Sequence, residues 1–115
     1  MQPRSLKSVE DIANACSNIV EWTVGGSLAQ HESDSKLRAA VERTFEIIGE
    51  ALLRLERNDP TLVARITDYR RVIGFRNRLA HGYDDIDDSQ VWDIIQTSLP
   101  VLRQDIDTIL AEIER

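Results

Sequence analysis

Between Leu37 and Leu55 the apolar side chains Leu37, Val41, Phe45, Ile48, Leu52 and Leu55 fall at steps of three and four residues. That spacing returns each of them to one face of a helix with 3.6 residues per turn, and it does not fit the two-residue alternation of a half-buried strand. Ser33 and Asp34 stand where a capping side chain is needed, and "NDP" at 58 to 60 closes the run, because a residue before proline is pushed out of helical geometry. A helix of about 24 residues, roughly 36 Å long, is therefore expected to be the spine around which the rest of the chain packs.

Three further blocks carry the same period. The first runs from about Ser5 to Val24 with Leu6, Val9, Ile12, Cys16, Ile19 and Val20 on its stripe, and Gly25-Gly26 ends it. The block from Thr61 to His81 carries Leu62, Ile66, Tyr69, Val72, Ile73 and Leu79; Asp68 can cap a fresh start inside it, so one helix or two are possible, and Gly82 follows. The last begins near Asp87 or Asp88 and runs through Val91, Ile95, Leu102, Ile106, Ile109 and Ile113. Pro100 lies within it, and because the apolar spacing continues beyond, a kink is expected rather than a break. No stretch alternates as a strand does, and neither repeats nor low-complexity segments occur. The expected fold is all-α: an up-down bundle of four to five helices with a kinked last helix, forming a single domain over residues 1–115.

Composition bounds the rest. Hydrophobic residues make up 42% and charged residues 30%, the balance of a globular chain. No apolar run approaches the roughly 18 residues that a membrane span needs, and "MQPRSLKSVED" has no apolar signal core, so a bacterial-type cytoplasmic protein is expected. Cys16 is the only cysteine, which excludes an internal disulfide and a cysteine-based zinc site. Four wide apolar stripes on so short a chain leave surplus apolar surface, and a two-fold homodimer would cover it.

Charge is unevenly placed. Arg65, Arg70, Arg71, Arg76 and Arg78 face a single acid, Asp68, between Thr61 and Tyr83, a net +4 in a chain of −6, so the remainder carries −10. Asp84, Asp85, Asp87 and Asp88 follow at once, where they would cap the last helix. Such a basic stretch is either a solvated face or a surface for nucleic-acid phosphates, with Arg70, Arg71 and Arg78 the candidate contacts.

Within it, "FRNRLAHGYDD" crowds Arg76, Asn77, His81 and Tyr83 into one helix end. Asn77 and His81 are neighbours on a face, four residues apart. Arg76 and His81 are five apart, about 140° round the helix, the same general side without tight contact. Tyr83 follows Gly82, where the chain can turn its hydroxyl back. Histidine suits proton transfer near neutrality, and arginine holds phosphate oxygens and stabilises charge on a transferring phosphoryl group. A phosphodiester cleavage without metal would fit: His81 takes the proton of an RNA 2′-hydroxyl while Arg76 stabilises the pentacovalent phosphorus. The plain alternative is a helix end whose Arg and His only compensate the dipole. Glu50, beside the buried stripe of the long helix, is either a partner for Arg76 or a solvated carboxylate. Trp22 and Trp92 read as core or interface residues, His31 as a loop residue without a role, and Gly25-Gly26 as a helix stop, since no lysine-serine pair of a phosphate loop follows.

"GFRNRLAHGYDDID", then "VW" and "LP", with "DI" at 11 and 12 and "IGEA" at 48 to 51 in order, resembles the HEPN superfamily and within it the HepT-like toxin family. The resemblance covers most of the chain, and its signature of arginine, four residues, histidine, one residue and tyrosine is met by Arg76, His81 and Tyr83. It implies a dimerising helical bundle that joins two motif copies across the interface, and a metal-independent ribonuclease toxin needing no cofactor. It also implies a small nucleotidyltransferase-fold antitoxin as partner, which attaches AMP to the motif tyrosine, here Tyr83. Asn77 matches the polar residue that follows the motif arginine. Tyr69 stands where many relatives have tryptophan, seven residues before that arginine. Two other readings remain: a non-catalytic nucleotide- or partner-binding subunit of a nucleotidyltransferase, and a helical dimer with neither activity.

Overall fold

The apolar stripe of the central block becomes one uninterrupted helix. In a computed structural model, which describes residues 1–81 and 86–113, the helices are α1 (Pro3–Thr23), α2 (Leu28–Ser33), α3 (Ser35–Asn58), α4 (Pro60–Val63), α5 (Tyr69–His81), α6 (Asp88–Gln96) and α7 (Ser98–Ile113). No strand occurs among the described residues. The Asp34 carboxylate accepts the Leu37 backbone N–H at 3.0 Å and fixes the start of α3. Phe45, Ile48, Leu52 and Leu55 are essentially fully buried along it. At about 1.5–3 kcal/mol for each such side chain, this stripe is the largest contribution any one element makes to the core.

Around α3 the order in space is α7, α1, α3, α5, with α1 and α5 on either side of the spine and α7 against α1. These four long helices are the expected bundle. Phe45 of α3 meets Phe75 of α5 edge to face, with ring centroids 5.2 Å apart, and this aromatic pair sets the crossing that carries the motif. Between α4 and α5 the chain is pinned to α7 by a hydrogen bond from the Thr67 N–H to the Asp105 carboxylate at 2.8 Å and by an Arg65–Glu112 ion pair at 2.7 Å.

The third block is split, as Asp68 allowed. Asp68 sits at φ +53°, a left-handed conformation that an aspartate tolerates better than most side chains, and its carbonyl accepts the N–H groups of Arg71 and Val72 to start α5. Gly25, at φ +73°, similarly ends α1 where the sequence places the stop.

Two features differ from the sequence reading. The kink of the last block falls at Thr97, where α6 ends and α7 begins, and Pro100 lies in the first turn of α7. There its missing N–H costs little, because the first N–H groups of a helix have no partner within it. The second difference is α2. It opens with a reciprocal cap in which Ser27 Oγ accepts the Gln30 N–H and Gln30 Oε1 accepts the Ser27 N–H. His31 therefore lies in a helix and not a loop, and it is fully buried, 5.7 Å from the Trp92 ring. Trp92 is half-buried, whereas Trp22 is 43% exposed and so is not a core residue of the single chain.

Candidate active site

The motif arginine is held from below. α3 crosses α5 with Gly49 directly under Arg76, so close that a methyl group added at Gly49 would overlap the Cβ and Cγ of Arg76. Glycine is needed at that position for the two helices to approach with the arginine stem between them. The stem lies along α3, and only 22% of the Arg76 side chain is exposed.

Its guanidinium has two neighbours. Nη2 stands 3.6 Å from Glu50 Oε1 on α3, and Nη1 donates to Asn77 Oδ1 at 3.1 Å. Glu50 Oε1 also stands 3.4 Å from Arg43 Nη1, so one carboxylate bridges two cations. Arg76 Nε is buried and has no hydrogen-bond partner among the described residues. A buried charged donor without a partner costs stability unless something completes it. Glu50 thus sits beside Arg76 as a partner would.

His81 is the last residue of α5 and is exposed. Asn77 is exposed one turn before it. The helix brings Asn77, Arg76 and Glu50 into one contact chain, while His81 lies round the axis from Arg76 at the angle the sequence spacing dictates. Tyr83 lies outside the described residues.

The basic residues around the motif divide by what they touch. Arg70 donates to the Tyr69 hydroxyl at 3.3 Å and stands 4.0 Å from Glu56 of α3. Arg71 and Arg78 instead line a groove of about 690 Å³ between α5 and α6, with Gly74 and Phe75 beside them and Ser89, Gln90, Asp93 and Ile94 on the α6 side. The Arg78 guanidinium carbon lies 5.6 Å from the centre of the Phe75 ring. Among the described residues no three His, Cys, Asp or Glu side chains gather as metal ligands do.

Sequence reasoning missed Gly49 and Arg43 as parts of the arginine's setting. A glycine in the middle of the most strongly amphipathic helix was the available signal, since that position weakens a helix unless a neighbour needs the space.

Comparison with known proteins supplies an independent reading. A family profile described as "Ribonuclease HepT-like" matches residues 12–109. A protein of Thermococcus cleftensis named "Probable ribonuclease HepT" is 32% identical over 95 residues, covering 83% of this chain and 86% of its own. One of Methanocaldococcus jannaschii named "Putative RNase" is 28% identical over 110 residues, 95% of this chain and all of its own. Another of the same name, from Caldanaerobacter subterraneus, is 28% identical over 102 residues, covering 89% and 90%. No solved structure gives a significant match.

Proposed function

Because the chain belongs to the HepT-like ribonuclease family, we propose that it is a metal-independent endoribonuclease toxin that acts at Arg76 and His81. The observation that carries this reading is the setting of Arg76. A guanidinium packed into a glycine notch and steered by Glu50 and Asn77 is fixed before any substrate arrives. An electrostatic stabiliser of a transition state needs that preorganisation.

The chemistry follows from the residue types. His81 takes the 2′-hydroxyl proton; the 2′-oxygen attacks phosphorus and the bond from phosphorus to the 5′-oxygen breaks. The products are a 2′,3′-cyclic phosphate and a 5′-hydroxyl, whose oxygen takes a proton from an imidazolium or from water. Arg76 stabilises the charge on the non-bridging oxygens of the pentacovalent phosphorus. One α5 points Arg76 and His81 in directions about 140° apart. A two-fold homodimer that sets two motif helices face to face gives one shared phosphate two arginines and two imidazoles, one imidazole to accept a proton and one to return it. The site residues are then Arg76 and His81 for catalysis and Asn77 and Glu50 for positioning. Tyr83 is where a nucleotidyltransferase-fold antitoxin would attach AMP and block the site with added bulk and negative charge.

The test is cleavage of a mixed RNA substrate by the purified protein in EDTA, with His81→Ala alongside. The expected result is cleavage by the wild type and at least about a hundredfold less by the variant. If neither cuts while intact mass shows Tyr83 unmodified, the ribonuclease reading fails and the nucleotide- or partner-binding one takes its place.

A further inference from the structure

We infer that the groove between α5 and α6 is the track for the single-stranded RNA that flanks the scissile phosphate, and that Asp93 on its far wall selects bases carrying an exocyclic amino group. This rests on the ribonuclease reading and extends it to substrate choice.

The groove exists because α6 packs chiefly on α2 and α7 and leaves its α5 side open. On the α5 wall, Arg71, Gly74 and Arg78 recur at steps of three and four, and His81 is three residues further on the same stripe. The stripe therefore leads from the candidate catalytic histidine straight along the groove, over about 15 Å of helix. That is room for the next two phosphates of an extended strand. Arg71 and Arg78 make no ion pair with any described residue, although the chain is acidic overall.

Gly74 is the second observation. It lies in the middle of α5, where glycine weakens a helix relative to alanine, yet a Cβ there would meet nothing within 4 Å. No packing reason keeps it small. What its bare backbone provides is depth in the groove between the two arginines, where a ribose or a base can approach the helix closely. Phe75, 5% exposed, forms the floor, and the volume of about 690 Å³ lies within the roughly 300–1,000 Å³ of ordinary ligand sites.

The α6 wall has a different chemistry. Asp93, a carboxylate, repels phosphate, so the backbone must lie on the arginine side with the bases turned towards α6. A carboxylate accepts hydrogen bonds only. Cytosine offers it an amino group, whereas uracil offers one N–H flanked by two carbonyl oxygens that the carboxylate repels. Gln90, which both donates and accepts, does not discriminate in this way. Backbone held by one wall and base edges read by the other is the usual division of labour in nucleic-acid recognition.

The experiment measures binding of fluorescein-labelled 2′-O-methyl hexacytidylate and hexauridylate, neither of which can be cut by 2′-hydroxyl attack, to the wild type, Asp93→Ala and the Arg71→Gln/Arg78→Gln double variant. Cleavage of mixed RNA by the same proteins runs in parallel. The wild type should bind the cytidine oligomer about tenfold more tightly, the low end of what one good base contact contributes. Asp93→Ala should bring the two affinities together. The double variant should weaken both equally and lower the slope of log affinity against log salt by about 1.4, at about 0.7 per phosphate contact on a single strand. An unchanged base preference in Asp93→Ala, or an unchanged salt slope in the double variant, overturns the groove assignment. So does a change in the double variant's mass by light scattering, which would make the groove an interface between protein chains. If the oligomers bind as expected but wild-type protein cuts no RNA, the groove stands and the ribonuclease reading fails. If His81-dependent cutting is indifferent to all three substitutions, the ribonuclease reading stands and the groove fails.

Discussion

The chain has two histidines, and the fold sets them in opposite surroundings. His81 ends α5 at the surface, beside Asn77 and on the stripe that runs into the α5–α6 groove. His31 is fully buried where α2 meets α6, against Trp92, and neither of its ring nitrogens has a hydrogen-bond partner among the described residues. A side chain able to transfer protons near neutrality is useful only where substrate and solvent can reach it. Sealed in the core, the same ring is a piece of packing with an electrostatic penalty attached. Residue type names a capacity, and the surroundings decide whether it is expressed.

Replacing each histidine is the sharpest way to break that contrast. His81→Ala should reduce RNA cleavage by roughly 10²- to 10⁴-fold, the usual contribution of a general acid or base, and leave the melting temperature where it was, since an exposed helix end loses little packing. Thermal unfolding beside the cleavage assay separates the two effects; a large drop in Tm would make His81 structural like its buried counterpart.

In the proposed mechanism the exposed histidine works with an anchored arginine, so the next substitution disturbs the anchor and not the charge. Gly49→Val forces branched carbon into the stem of Arg76. It should cost about 1–3 kcal/mol of stability, as overpacking does, and lower cleavage at temperatures where the protein is still folded. Calorimetry and single-turnover cleavage at a temperature well below the new Tm read both. Wild-type activity in a folded Gly49→Val protein would show that the notch does not position Arg76.

Glu50→Gln tests the steering more gently. It keeps the side chain's length and an acceptor oxygen but removes the negative charge between Arg43 and Arg76. Both guanidiniums are partly in water, so stability should change by less than about 1 kcal/mol. Activity should fall by several-fold in kcat more than in KM, because the substitution alters how Arg76 is aimed and not how RNA is bound. A loss confined to KM would instead make Glu50 part of the binding surface.

How far the sequence disclosed all this depends on the range of the interaction. The start of α3 and its Asp34 cap, the glycine stop of α1, the split at Asp68 and the start of the last block near Asp87 are local, and each was legible from a few neighbouring residues. α2 was legible too, through the Ser27-x-x-Gln30 pair, but six residues carry too little periodicity to draw notice. The bend at Thr97 was hidden because the apolar spacing runs through it, and Pro100 is the more conspicuous residue. Of the Gly49–Arg76–Glu50 contact, the sequence offered Glu50 as one of two readings and left the Gly49 notch unread. The contact joins residues 26 or 27 positions apart and depends on the register of α3 against α5, which Phe45 and Phe75 set by packing. The same is true of His31, whose burial follows from where α6 lies and from nothing in its own neighbourhood.

The smallest expected effect belongs to the buried member of the pair, and its sign is informative. Burial lowers the His31 pKa below its ordinary 6.5; Asp88 opposes that, Arg38 adds to it, and Glu32 and Asp34 oppose it more weakly. Below pH 6.5 the unfolded chain therefore binds a proton more readily than the folded one, so unfolding is favoured as pH falls. The contribution of His31 to stability is complete above pH 6.5 and is lost as pH drops from there towards the lower folded value. Phenylalanine is an apolar ring of related shape, and it removes both the unpartnered nitrogens and the titration. His31→Phe should leave the stability at pH 7.5 unchanged or raise it by up to about 1 kcal/mol, since deleting an unsatisfied polar group offsets the strain of a slightly larger ring. Between pH 7 and pH 5 it should lose less stability than the wild type, by urea unfolding at matched ionic strength, with no change in His81-dependent cleavage. A variant whose acid sensitivity matched the wild type would place the titration elsewhere, and one that lost cleavage would mean that the α2–α6 contact and the motif helix are coupled rather than independent.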